Sequence, residues 1–305
     1  MKFSIFQESR RGGRKYNQDR MGYVFSRDAM LMIVADGMGG HMHGEVAAQI
    51  TVEYFGQKFQ REAKPKIGDP VAFLTDSING AHAAILQYTE DHGLLETPRT
   101  TVVAALVQSG GAIWAHAGDS RVYHIRAGQI VAQTRDHSRV QQLVLQGVVR
   151  EEAVAAHPDR NKIYNCLGAH VAPQIDVSPR VALQQGDTLL LCSDGVWGPL
   201  PSRLIATAFM NEPVARAVPA LMNQAERRAG ADSDNLSVVA MTWDEIDAAG
   251  PNSVSTLTLP PDGYASKIDA FDQGAGHEYL SDAEIEKAIA EIRNAISKAN
   301  KVVIK

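Results

Sequence analysis

Five aspartates in this chain stand at the ends of apolar, strand-like runs, and that placement limits the folds open to it. Asp36 follows MLMIVA, Asp194 follows LLLCS, and each is succeeded by a glycine, Gly37 and Gly195. Asp119 follows AIWAHAG and precedes Ser120-Arg121. Asp19 lies just before MGYVF, and Asp234 just before LSVVAM. If those strands share a sandwich, their ends meet at one rim. Carboxylates gathered there repel one another, and an unpaired buried charge is costly. Such a cluster makes physical sense with cations inside it. The ligand set is all oxygen, with no thiolate pair and no HExxH, which suits Mg²⁺ or Mn²⁺ rather than zinc. A single Asp-Gly after a strand is ordinarily just a tight turn, so the weight lies in the order and neighbours of all five. In VADGMGGHMHGEVAA, residues 34–48, glycine at 37 lets a backbone carbonyl approach a metal, which a β-carbon would hinder.

The rest of the pattern says what kind of sandwich. KFSIF, MGYVFS and AMLMIVAD read as strands, the last apolar throughout and therefore central in a sheet. Helical spacing follows over about 45–61 and 70–91, the second carrying Val71, Leu74, Ile78, Ala81 and Ile85 on one face. Strands return in TTVVAALVQ, GAIWAHAGDS and RVYHIRAGQIVAQ, where RAGQ reads as a hairpin turn. Residues 138–165 are polar with a helical pattern interrupted by Gly147 and His157-Pro158. The strand DTLLLCSDG, helices near 201–209 and 213–229, and the strand NLSVVAMTW complete the series. Helices paired between groups of strands do not make repeated βαβ units. The expected class is α+β, two stacked antiparallel sheets flanked by helices.

Composition excludes several functions. A formal net charge of −5 gives no electrostatic grip on nucleic acid or anionic lipid. The apolar runs are too short to cross a bilayer, and the N-terminus lacks a secretory h-region. Cys166 and Cys192 have no metal-site spacing and read as buried thiols, which points to a reducing, cytoplasmic setting.

After Trp243 the character changes. The expected organisation is one domain over 1–243, a Pro/Gly/Ser-rich linker over 244–280 and an amphipathic helix over 281–305. Ser281 and Glu284 have capping-box spacing, and Ile285, Ile289, Ile292 and Ile296 form a narrow stripe. An isolated helix of this length is marginal in water. The stripe packs either on the chain's own domain or on a partner.

RKYNQD, VADGMGGHMHGE, AHAGDSRVYHIRAGQI, TRDHS, LLLCSDGVW and DSDNLSVVAM, in that order, resemble the bacterial branch of the metal-dependent PP2C-like (PPM) serine/threonine protein phosphatases. The likeness covers about residues 1–243, and 136–168 resembles that family's flap segment beside the active site. It implies that Asp36 bridges two Mn²⁺ or Mg²⁺ ions, that the Gly37 carbonyl binds one, and that Asp194 and Asp234 complete the second site. Asp19 would hold the water at the ions, Asp119 with Asp194 would form a third site, and Arg14 would clamp the substrate phosphate. Asp36, Asp19 and Asp119 are thus the catalytic candidates. Two such ions activate a water and neutralise the phosphoryl group during in-line attack, so no phosphoenzyme is needed.

The sequence departs from the wider family at Met38, where eukaryotic relatives carry a His thought to protonate the leaving alcohol. His41 and His43 lie nearby, but a surface or packing role is the expectation for each, and a metal-bound water, that of the third ion above all, is the expected acid. Gln18 stands where many relatives have Glu. The implied partners are phosphorylated proteins and a bacterial Hanks-type Ser/Thr kinase. The rival readings are a partner-switching phosphatase for an anti-sigma antagonist and a pseudophosphatase that only binds. Arg14 and the flap-like insert weigh against the first, and the full set of five aspartates against the second.

Overall fold

The computed structural model describes residues 1–38, 43–150, 153–154, 157–160, 162–243, 253–260, 262–268 and 290–299. One sheet contains β1 (Lys2–Arg10), β6 (Arg121–Arg126), β7 (Gln129–Gln133), β10 (Thr188–Cys192), β11 (Leu236–Trp243) and β12 (Ser253–Ser255), in the order β12-β1-β11-β10-β6-β7. The other contains β2 (Arg20–Ser26), β3 (Ala29–Ala35), β4 (Val102–Gln108), β5 (Gly111–Ala117), β8 (Asp176–Val177) and β13 (Tyr264–Ile268), in the order β13-β2-β3-β4-β5-β8. The two-residue strand β9 (Val181–Ala182) also pairs with β5. Every pairing is antiparallel.

Strand alternation explains why AMLMIVA is apolar throughout. Met30, Met32 and Val34 enter the core between the sheets, while Leu31 and Ile33 enter the core beneath the helices. β10 divides in the same way, with Leu189 and Leu191 between the sheets and Leu190 and Cys192 on the outer side. Two helices, α1 (Gly44–Glu62) and α2 (Pro70–His92), cover the second sheet. Asp69 caps α2 by accepting from Val71 N and Ala72 N, and Gly93 ends it in a left-handed conformation. The short helix α5 (Ser202–Thr207) and α6 (Val214–Ala229) cover the first sheet. The RAGQ turn has positive φ at Ala127 and Gly128, as a two-residue hairpin of type I′ requires.

Two differences from the sequence reading stand out. Within 138–165 the described helix is only α3 (Arg139–Leu145), capped by Ser138 and followed by turns. Inside the expected linker, β12 extends the first sheet beside β1 and β13 extends the second beside β2. The linker expectation therefore does not hold for those residues, because two sheet edges offer backbone partners that composition cannot reveal. Residues 290–299 form a helix, here α7, whose Ile292, Ile296 and Ala299 join the core that α1 and α2 form with the second sheet. That part of the stripe docks on its own domain. Ser281, Glu284, Ile285 and Ile289 lie outside the described residues.

Candidate active site

The sandwich brings the five strand-end aspartates to one rim. Asp36 leaves β3 with its carbonyl held by Thr101 N and Thr100 Oγ1, each at 2.9 Å. Burial, and then the charges of Asp19, Asp194, Asp119 and Asp234, push Asp36 well above the usual carboxylate range. Asp36 is the hub of the group.

Asp19 and Asp119 are each 2% exposed, and each keeps a buried Oδ1 with no hydrogen-bond partner. Ser193 donates to Asp19 Oδ2 at 2.7 Å, which tempers the effect of burial, and the Asp19 carboxyl is pushed up to about 6. Burial together with Asp234 and Asp19 pushes Asp194 up to about 7. Burial, then Asp194 and Asp136, raises Asp119 well above its ordinary value. A protein does not gather carboxylates with orphaned buried oxygens unless something positive satisfies them. Hard oxygen donors of this kind fit Mg²⁺ or Mn²⁺.

Two glycines make the convergence sterically possible. A β-carbon on Gly37 would lie 2.5 Å from Gly44 O and 2.6 Å from Gln18 O, so only glycine lets β3 run into this turn. Asp194 opens the one-turn helix α4 (Asp194–Trp197), and a β-carbon on Gly195 would lie 2.1 Å from Asn235 O. That close backbone approach is what sets Asp194 beside Asp234.

Arg14 pairs with one of the candidate aspartates. Its Nη2 donates to Asp234 Oδ2 at 2.6 Å, and its side chain is 53% exposed. The loop carrying it is pinned by Asn235, whose Nδ2 donates to Arg11 O and Tyr16 O and whose Oδ1 accepts from Gln18 N. An open cleft of about 740 Å³ runs past Arg14, Asp194, Trp197 and Asp234, with Val154 and Arg160 of the flap-like segment on its wall.

The candidates for proton donation fare less well. Met38 carries no proton to give, and His41 lies outside the described residues. His43 takes a left-handed conformation at the start of α1, 4.0 Å from Glu45. Gln18 Nε2 donates to Glu45 Oε2 at 3.0 Å.

Several residues that the sequence does not mark as part of the site support it. Ser193, Asn235 and Trp197 each sit one to three positions from a candidate aspartate, which is the only signal the sequence holds for them. Trp197 Nε1 donates to Asp119 O at 3.0 Å. Arg121 grips Asp136 with two hydrogen bonds of 2.8 and 2.7 Å and lies over the Trp197 ring. Apart from the aspartate rim, His116, His137 and Asp176 bring ligand-type atoms within 4.8 Å of one another.

Residues 7–236 match the Protein phosphatase 2C family. The serine/threonine protein phosphatase PstP of Mycobacterium tuberculosis is 33% identical over 234 residues, 76% of this chain and 43% of that protein. This chain thus spans less than half the length of that relative. The serine/threonine phosphatase Stp of Listeria monocytogenes is 32% identical over 198 residues, covering 64% of this chain and 78% of its own. A crystal structure of the PstP catalytic domain with two manganese ions superposes with a TM-score of 0.66 at 31% identity, covering 79% of this chain and 98% of that one. A family match over most of the chain, on a fold whose strand ends assemble the carboxylates that its motifs carry, identifies the chain as a member of the protein phosphatase 2C family.

Proposed function

We propose that this protein is a divalent-metal-dependent phosphatase that removes phosphate from phosphoserine and phosphothreonine in proteins. The observation that carries the reading is Asp36, whose carboxyl group faces four other aspartates, two of them with buried oxygens lacking any partner. When bound there, two Mn²⁺ or Mg²⁺ ions would polarise a water and neutralise the phosphoryl oxygens for in-line displacement. Asp36, Asp194 and Asp234 would hold the central pair with the Gly37 carbonyl, and Asp19 would orient the water. Asp119 and Asp194 would hold a third, weaker ion.

Arg14 supplies the planar guanidinium suited to a phosphate, at the mouth of the cleft. Only its Nη2 is engaged with Asp234, which leaves the other guanidinium N–H groups of this half-exposed side chain to a phosphate. Trp197 and Val154 add apolar surface to the lining of that cleft. A pseudophosphatase reading has little to support it, since none of the five carboxylates is missing. A partner-switching role is disfavoured by Arg14 and the flap-like segment. Because the named relatives are Ser/Thr phosphatases, a bacterial Ser/Thr kinase and its targets are the expected partners. Two free, buried cysteines fit a reducing cytoplasm, and among the described residues no helix is long and apolar enough to cross a membrane.

Phosphate release from a phosphothreonine peptide, with and without Mn²⁺, tests the proposal. Activity in Mn²⁺ that disappears in EDTA and in Asp36→Asn supports it. A folded, Mn²⁺-binding protein with no turnover on any phosphopeptide would leave only the binding-module reading.

A further inference from the structure

The trio of His116, His137 and Asp176 invites a transition metal, since His116 Nδ1 and His137 Nε2 are buried without hydrogen-bond partners. The hydrogen bonding around His137 speaks against it. His137 Nδ1 faces two donors, Gly118 N at 3.2 Å and Asn165 Nδ2 at 2.6 Å. Asn165 cannot turn its oxygen there instead, because Oδ1 accepts from Gln174 N at 3.0 Å and Nδ2 donates to Gln174 O at 2.8 Å. Nδ1 is therefore the acceptor and the ring proton is on Nε2, 3.3 Å from Asp176 Oδ2. A nitrogen that carries a proton offers no lone pair to a metal.

The same bonds show what His137 does hold. Its main-chain N–H donates to Gly118 O at 2.9 Å while its ring accepts from Gly118 N. One residue thus grips both polar groups of the residue just before Asp119. Gly118 has φ +118 and no room for a side chain, since a β-carbon would lie 2.6 Å from Thr101 Cβ. On the other side, the Asp119 carbonyl is held by Trp197. The Asp119 carboxylate, buried and with one oxygen unpartnered, hangs between those two anchors. His137 also closes the flap-like segment at its base: its carbonyl accepts from Tyr164 N at 3.0 Å, beside the Ser138–Ile163 bridge.

We infer that His137 is a positioning residue for Asp119: its ring and main chain fix the Gly118 peptide, and through that peptide the base of the flap-like segment sets the Asp119 carboxylate. The inference rests on the proposed role of Asp119 in holding the third, weaker cation. Supporting residues behind metal ligands commonly carry a 10- to 100-fold share of affinity or activity.

Four full-length proteins test it: wild type, His137→Ala, His137→Asn and Asp119→Asn. Each is titrated calorimetrically with Mn²⁺ and assayed on a phosphothreonine peptide and on p-nitrophenyl phosphate. His137→Ala should keep the tight Mn²⁺ class and weaken the weak class about tenfold or more. Its turnover should fall further on the peptide, whose alkoxide leaving group needs a proton, than on p-nitrophenyl phosphate. His137→Asn should rescue both, because Asn Oδ1 can accept from Gly118 N where Nδ1 did. If the alanine protein does not fold, His137→Leu replaces it, keeping bulk but no acceptor. Equal impairment of the Ala (or Leu) and Asn proteins, or a weak Mn²⁺ class unchanged in the folded Ala (or Leu) protein, would overturn the inference. An unchanged weak class in Asp119→Asn would instead remove the reading of Asp119 on which it rests.

Discussion

Arg14 Nη2 lies 2.6 Å from Asp234 Oδ2, so the residue proposed to clamp phosphate is also the counter-ion of a candidate metal ligand. Asp194 and Asp36 also favour its charged form, after Asp234 itself. Cation and guanidinium therefore compete for the same carboxylate.

That competition has a measurable consequence. Arg14→Ala should leave Mn²⁺ affinity unchanged or slightly tighter, the pair being more than half exposed on the arginine side and so weak. KM for a phosphopeptide should rise more than kcat falls, as expected when a contact to substrate is lost in ground and transition states alike. Calorimetry beside steady-state kinetics checks both. An unchanged KM would remove Arg14 from the phosphate site.

Metal removal should abolish activity. Protein stripped with EDTA should recover with Mn²⁺ and with Mg²⁺, while Ca²⁺, larger and preferring more ligands, should not restore turnover. Asp36→Asn should remain inactive at any Mn²⁺ concentration, since the hub of the carboxylate group loses its charge. Full turnover in EDTA would end the metal mechanism.

Stability of the metal-free protein should depend on pH in a definite direction. Asp19 and Asp194 are pushed up to about 6 and about 7, so the folded state keeps protons that the unfolded state has released. The stability this gives is present at low pH and is lost as pH rises from about 4 through about 7. Melting of the EDTA-treated protein should therefore fall across that window. Mn²⁺ should raise the melting temperature at neutral pH and flatten the slope, because it binds the native site and pairs the ionised carboxylates. A metal-free melting temperature that climbs between about pH 5 and pH 7 would contradict the raised values.

The C-terminal segment should matter for stability and not for chemistry. Ile296 is 1% exposed in the core that α1 and α2 form with the second sheet. Ile296→Ala should cost about 2–5 kcal/mol, read by denaturant unfolding, with kcat unchanged. Ending the chain after Trp243 should destabilise it further, by stripping β12, β13 and α7 from the sheet edges and the helix layer. Wild-type stability of that shortened protein would mean these contacts contribute nothing in solution.

The sequence by itself determined the layered class, because strands such as β3 and β10 are apolar on both faces and can only be buried between other layers. It also marked the five aspartates, since a carboxylate ending an apolar run is visible in one dimension. Helices α1, α2 and α6 were legible from their helical patterning for the same reason: their signals are local. What the fold alone decided is everything that depends on which strand end lies beside which. Only the sheet order makes Asp36 the hub, sets Asp194 against Asp234 across the Gly195 backbone, and hands Asp234 to Arg14. Ser193 reaches the Asp19 carboxylate, and Trp197, Asn235 and His137 reach backbone groups, all of residues far along the chain; no spacing rule encodes such partners. The edge strands β12 and β13 were hidden for a related reason. A short polar segment becomes a strand when a sheet edge presents its unpaired backbone, and that edge exists only once the sandwich has formed.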